Sequence, residues 1–282
     1  MLEREGFPAG VPAWIDTGQP DPDAAAAFYR GLFGWEFEDR MPPDSDGRYL
    51  VATIDGREVA EIGSQGAGDP PAPAWNTYVA VGSADATAEL VSDAGGTVIA
   101  GPFDLGDAGR LAVCGDPAGA AFRLWQPGSM KGAQIVNSPG TWNFSELHAR
   151  DIDGARRFYA RVFGWEMDDV VMGALAGTMV RLPGYADFLE QYDPGIRQRH
   201  ADFGAPPGFS ECVAWILPPD DHHASPAWNV TFAVDDTDAV AARARELGGT
   251  VVVEPFEVAP VRSSVIRDPQ GAQFTASSFS PG

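Results

Sequence analysis

The chain has 282 residues, 44% of them hydrophobic and 21% charged, and a formal net charge of −21. That length allows two domains of ordinary size, each able to bury its own core. The charge disfavours nucleic acid and anionic membranes as partners, no apolar run reaches the length of a membrane span, and the first residues, MLEREGFPAG, lack the apolar centre of a signal peptide.

A short apolar strand carrying Trp14 and Asp16 is the first predicted element. A helix follows. Asp21 suits its N-cap and Pro22 its first turn. Phe28 and Leu32 supply its buried stripe, and Gly34 its left-handed stop. Strands are predicted at Tyr49–Ile54 and Glu58–Ile62. An alternating strand at Asn76–Val81 then leads to a second helix, Ala84–Ala94, stopped by Gly95 and Gly96. Strands at Thr97–Ala100, Arg110–Cys114 and Ala121–Trp125 complete the set, the last two joined by a tight turn at Asp116–Gly119. Gly, Ser, Pro and Asn cluster in Pro127–Gly140, which reads as a domain boundary.

The chain then repeats itself. DPDAAAAFYRGLFGWE at Asp21–Glu36 becomes DIDGARRFYARVFGWE at Asp151–Glu166, an offset of 130 residues. Phe158 and Val162 form the second helix stripe, with Asp151 and Gly164 at its ends. PAWN at Pro73–Asn76 recurs at Pro226–Asn229, Gly95–Val98 at Gly248–Val251, Pro102–Phe103 at Pro255–Phe256, and Asp116–Ala120 at Asp268–Ala272. This second set is offset by 152–153 residues, so the second copy carries about 23 extra residues. They fall in Gly184–Ser225, which reads as an inserted loop, either a lid or an interface segment. The predicted fold class is α+β, with a βαβββ unit present four times.

The FY…FGW helix end, the strand-helix-Gly-Gly-Thr-Val pattern and the DPxGA hairpin together resemble the vicinal-oxygen-chelate (glyoxalase/bleomycin-resistance/dioxygenase) superfamily. PAWNTYVAV, FDLGDAGR and DPAGAAFRLW are most similar to its two-domain actinobacterial "hydroxylase" or 27 kDa antigen-like branch, which has relatives in aromatic polyketide antibiotic clusters. The resemblance implies two tandem domains, 1–130 and 141–282, joined by a linker at 131–140, each with a cup-shaped mixed sheet. It also implies cups that hold either a metal with a chelating substrate or an unmetallated drug. The family's metal-ligand positions fall on Trp14, Asn76 and Arg123 in the first cup, with Glu61 loosely aligned as the fourth. In the second they fall on Phe144, Asn229 and Thr275, and the insertion hides the fourth. Divalent metals need three or more carboxylate, imidazole or thiolate ligands. Neither set supplies them, so no metal and no other cofactor is expected.

Alternation along a strand puts residues i and i+2 on one face. Trp14 and Asp16, Asn76 and Tyr78, and Arg123 and Trp125 should therefore face the first cup. Phe144, Glu146 and His148, Asn229 and Thr231, and Thr275 with Ser277 should face the second. Such apolar walls with a few polar groups suit a small molecule. Asp16, Glu146 and His148 are the candidate catalytic groups, to be weighed against purely structural roles. Trp75, Trp228, Trp35 and Trp165 read as core, and His222 and His223 as solvated loop residues.

Two classes of function follow. One is metal-independent binding of a planar aromatic or hydrophobic molecule, such as a polyketide antibiotic, by an accessory or self-resistance protein. The other is an enzyme: a metal-dependent glyoxalase-like lyase or ring-cleaving dioxygenase, or a metal-free enzyme using Asp16, Glu146 or His148. Fold alone does not select between them. Cys114 and Cys212 fit no disulfide or metal spacing, which suggests reduced thiols in a cytoplasmic protein; a homodimer is compatible with the sequence.

Overall fold

The computed structural model describes residues 3–66, 72–172, 175–222, 225–258 and 260–279. The first βαβββ module comprises β1 (Pro12–Gln19), α1 (Pro22–Phe33), β2 (Glu36–Asp39), β3 (Tyr49–Ile54) and β4 (Arg57–Ser64). The second comprises β5 (Trp75–Ala80), α2 (Ala84–Asp93), β6 (Thr97–Asp104), β7 (Gly109–Gly115) and β8 (Ala121–Pro127). The third runs through β9 (Trp142–His148), α3 (Ile152–Phe163), β10 (Glu166–Met172) and β11 (Leu175–Arg181). It then adds α4 (Tyr185–Tyr192) and α5 (Ile196–Asp202) before closing with β12 (Cys212–Leu217). The fourth is β13 (Ala227–Ala233), α6 (Thr237–Glu246), β14 (Thr250–Val258), β15 (Val261–Arg267) and β16 (Gln273–Phe279).

Each half forms one eight-stranded sheet, in the orders β2-β3-β4-β1-β5-β8-β7-β6 and β10-β11-β12-β9-β13-β16-β15-β14. The first strands of the two modules pair antiparallel at the centre, and each pairs parallel with the last strand of its own module. The helix boundaries follow the local chemistry. Asp21 and Asp151 accept the backbone N–H of Ala24 and Gly154 at 3.0 and 2.8 Å, and Gly34 and Gly164 end α1 and α3 at φ 74° and 71°. Each such cap contributes about 1 kcal/mol.

The stretch 184–225, expected as one loop, holds two helices, a 3₁₀ turn at Phe209–Glu211 and the last strand of the third module, β12. The helices have 8 and 7 residues. Each is entered through a left-handed glycine, Gly184 and Gly195. Elements this short leave too few turns for a helical period to emerge from Pro- and Gly-rich surroundings.

The apolar cores are shared between the halves. Across the two halves β13 packs against β5 and β8, α1 against α6 and α2 against α3. One apolar cluster joins Phe28, Tyr29 and Trp35 of the first half to Val230, Phe232 and Phe274 of the second. The other joins Phe158, Tyr159 and Trp165 to Val79, Phe122 and Leu124 of the first half. Polar contacts follow the same exchange. Trp35 Nε1 donates to Gly140 O at 2.8 Å, and Trp165 Nε1 to Gly10 O at 2.7 Å. The hairpin carboxylates Asp268 and Asp116 accept the phenols of Tyr29 and Tyr159 across the interface, both at 3.1 Å. Those phenols accept Trp75 Nε1 at 2.9 Å and Trp228 Nε1 at 3.0 Å. Both tryptophans are core, as their alternation with Asn76 and Asn229 indicates.

The repeated Gly-Gly now has two roles. Gly95 and Gly248 take φ of 90° and 88°, past the helix ends. Gly96 instead makes room: a Cβ there would lie 2.7 Å from Gly115 O, 2.8 Å from the Phe158 ring and 2.9 Å from Val91. At Gly249 the nearest atoms, Arg267 O and the Phe28 ring, would lie at 3.0 Å. Overpacking of this kind costs about 1–3 kcal/mol. Gly96→Ala is therefore expected to lower the urea midpoint more than Gly249→Ala. Equal midpoints for Gly96→Ala and the parent would refute the close approach.

Candidate functional site

The two concave faces carry the same scaffold with different side chains. In the first cup, Asp16 on β1 lies beside Glu61 on β4 and opposite Asn76 on β5, while Trp14 lies opposite Tyr78, which pairs with Arg123 on β8. The second cup repeats this register: Glu146 beside Trp215 and opposite Asn229, and Phe144 opposite Thr231, which pairs with Thr275. Register thus matches Asp16 with Glu146, Glu61 with Trp215, Tyr78 with Thr231 and Arg123 with Thr275. Trp215 is the fourth position that the insertion concealed.

The first cup is occupied by its own side chains. Asp16 accepts Asn76 Nδ2 at 2.7 Å and the Tyr78 hydroxyl, and Arg123 Nε lies 3.6 Å from its Oδ1. The Arg123 guanidinium sits 5.6 Å from the centre of the Tyr78 ring. Burial, then the neighbouring Asp16, push the Tyr78 phenol well above its ordinary pKa, so it remains a proton donor. Trp14, Tyr78, Arg123 and Trp125 are all buried. The chain between the halves also packs here and is no exposed tether. Trp125 Nε1 donates to Met130 O at 3.1 Å, Ala133 N to Ala13 O at 2.8 Å and Gln134 N to Glu58 O at 2.8 Å. Ala133 and Ile135 join the core containing Trp14 and Trp125.

The second cup encloses a cavity of about 980 Å³. Phe144, Glu146, His148, Asn229, Thr231, Thr275 and Ser277 all line it, and none of the first cup's six candidates does. Glu146 accepts the Thr231 hydroxyl at 2.7 Å and Asn229 Nδ2 at 3.2 Å, and Asn229 Nδ2 also reaches Thr275 Oγ1 at 3.0 Å. The Glu146 carboxyl lines the cavity and is half-buried. Desolvation pushes its pKa up to about 7, against the smaller opposing effects of the Thr231 and Asn229 hydrogen bonds.

The walls are aromatic. Trp215 packs beside Met179 and Cys212, with Phe144 and Phe209 against them. From the insertion come His200, Phe203, Phe209 and Ser210. His200 Nδ1 lies 2.8 Å from Ser210 Oγ, and its ring contacts Phe203 and Phe209. Phe203 meets Phe279 at 5.9 Å on the exposed rim. Sequence reading missed Trp215 and these insertion aromatics. The signal available was the continuous apolar run CVAWIL, which has no polar alternation to set a register. His222 is exposed, and His223 lies outside the described residues.

Neither cup offers a donor set that fits a divalent metal. The positions facing one another are Asp16, Glu61, Asn76, Tyr78 and Arg123 in one and Glu146, Trp215, Asn229, Thr231 and Thr275 in the other. An arginine repels a cation, and a tryptophan offers no ligand. Among the described residues no three His, Cys, Asp or Glu side chains converge.

Residues 13–124 match the Glyoxalase/Bleomycin resistance protein/Dioxygenase superfamily, and residues 145–277 match a Glyoxalase-like domain. The chain belongs to this superfamily, as two tandem domains, in agreement with the resemblance read from its motifs. Among its relatives is the "Putative glyoxylase CFP32" of Mycobacterium bovis, 37% identical over 98% of this chain and 97% of that one. Another is the "Anthracycline biosynthesis protein DnrV" of Streptomyces peucetius, 34% identical over 95% of this chain and 93% of that one. The fold is similar to the Mn(II)-bound glyoxalase from Novosphingobium aromaticivorans, with a TM-score of 0.60 and 18% identity over 99% of this chain and 83% of that one. It is equally similar to the 2,3-dioxygenase LapB from Pseudomonas sp. KL28, with a TM-score of 0.60 and 12% identity over 96% and 93% of the two chains. At these identities the structural likeness speaks to the fold alone.

Proposed function

We propose that the second cup binds a planar aromatic or hydrophobic small molecule without a metal, and that the protein serves antibiotic metabolism as an accessory or self-resistance factor. The observation that carries this reading is the cavity of about 980 Å³, walled by Phe144, Phe209 and Trp215, with the polar cluster Glu146, Asn229 and Thr231 beside them. Its size suits a drug-sized ligand. A relative named for anthracycline biosynthesis, at 34% identity, supports the setting. The first cup, whose polar groups bind one another, has a supporting role in this reading. Among the described residues no helix is long and apolar enough to cross a membrane. Cys114 and Cys212 are both buried thiols, which suits a cytoplasmic setting.

A second reading has one specific observation in its favour. A carboxyl with a pKa near 7, open to a cavity, is poised for acid–base chemistry. Glu146 would then transfer a proton to or from the bound molecule.

Titration with 1,4-dihydroxyanthraquinone should quench tryptophan emission saturably, since Trp215 lines the cavity. Phe144→Ala should weaken binding about tenfold or more, through lost stacking and buried area. His222→Ala should leave it unchanged. Absence of saturable binding, or indifference to Phe144→Ala, would remove the proposal. Turnover of a methylglyoxal–thiol adduct by metal-loaded protein would replace it with the lyase reading.

A further inference from the structure

The two cups differ in which atoms surround the same carboxylate. In the first, Asp16 receives a phenol hydroxyl from Tyr78, an amide from Asn76 and the neighbouring Arg123 guanidinium. The phenol ring and the guanidinium lie together, 5.6 Å from guanidinium carbon to ring centre. In the second, the amide is kept as Asn229, but Tyr78 is replaced by Thr231 and Arg123 by Thr275. Both replacements remove bulk, and the second removes a positive charge. Among the described residues, Glu146 accepts side-chain hydrogen bonds from the Thr231 hydroxyl and the Asn229 amide. At these two positions Thr231 and Thr275 line the cavity, whose wall beside Glu146 is the Trp215 ring that stands where the first cup has Glu61.

We propose that the first cup is a filled internal template of the second, so that the second cup's ligand presents to Glu146 a hydroxylated aromatic ring and an adjacent protonated amine. The ring takes the place of the Tyr78 phenol, and its hydroxyl donates to the carboxylate. The amine takes the place of the Arg123 guanidinium and supplies the counter-charge that Thr275 does not. This inference rests on the second cup being a binding site, and it adds the chemistry of what is bound. A carboxylate lining a protein cavity is screened less than one in bulk water, so it discriminates by charge. The aromatic walls accept a flat ring, whereas a simple alkylamine would leave them unfilled. Protein and ligand charge also agree in the far field, since the chain carries −21.

The test compares three probes built on 1,4-dihydroxyanthraquinone and titrated into the full-length protein by tryptophan quenching. One carries a protonated aminoethyl chain, one carries no chain, and one carries a carboxyethyl chain. The amine should bind about ten- to a hundredfold more tightly than the unsubstituted ring, and the carboxylate should bind most weakly. In Glu146→Gln the ratio of amine to unsubstituted affinity should collapse to within about threefold of unity. Thr275→Arg, which restores the internal cation, should lower amine affinity at least about tenfold. Equal affinities for all three probes, or an amine preference that survives Glu146→Gln, would overturn the template while leaving the binding site standing. Saturable binding of none of the three would instead remove the site.

Discussion

Expressed alone, residues 1–136 are expected not to fold to a stable monomer. The reason lies in the exchanged cores. Phe28, Tyr29 and Trp35 on and after α1 pack against Val230, Phe232 and Phe274, so cutting the chain exposes both sides. Fully burying one such side chain is worth about 1.5–3 kcal/mol. Loss of three or more such contacts, about 4.5–9 kcal/mol, is comparable with the whole stability of a typical domain, about 5–15 kcal/mol. The buried Tyr29 hydroxyl would also lose Asp268, and Trp35 Nε1 would lose Gly140 O. The 1–136 fragment should give a collapsed amide spectrum and bind a hydrophobic dye. Mixing it with 137–282 during refolding should restore dispersed resonances. A cooperatively unfolding, monomeric 1–136 fragment would show that each sheet can be backed by its own helices.

Much of the architecture was legible because it is local. Asp21 and Asp151 cap their helices through atoms three residues away. Gly34 and Gly164 stop them through their own backbone freedom, and the Asp116–Gly119 turn closes on itself. Strand alternation sets Asn229 and Thr231 on either side of Val230, which is part of the core. The unread features all depend on residues far apart in the chain. Tyr159 reaches Asp116 from the other half, and Gly96 leaves space for Phe158. Trp215 could not be placed because about 23 added residues separate it from its repeat partner, and only pairing with Glu146 fixes it. The asymmetry of the cups was present in the letters, as Tyr and Arg against Thr and Thr. It gains meaning only when register shows that these four side chains flank matching carboxylates.

Glu146→Gln is expected to stabilise the unliganded protein at pH 8 by about 2–3 kcal/mol and to change little at pH 4. The folded-state pKa of Glu146 is raised to about 7 from an ordinary 4.5, chiefly by desolvation. The folded protein therefore holds the proton more tightly than the unfolded chain does. The corresponding stability is complete below pH 4.5 and is lost as pH rises through 7, at up to 1.36 kcal/mol per pH unit of difference in pKa. Above pH 7 the loss is constant, because Glu146 is then ionised in both states. The cavity admits some water to the carboxylate, which keeps the penalty below the full product of shift and slope. Glutamine has no charge to desolvate and can still accept the Thr231 hydroxyl, so its stability should not follow this limb of the curve. Urea unfolding of both proteins at half-unit steps from pH 4 to pH 8 measures the difference. Parallel curves would mean that the carboxylate is solvated in the folded state, and Glu146 would then lose its standing as the charge-sensing group of the cavity.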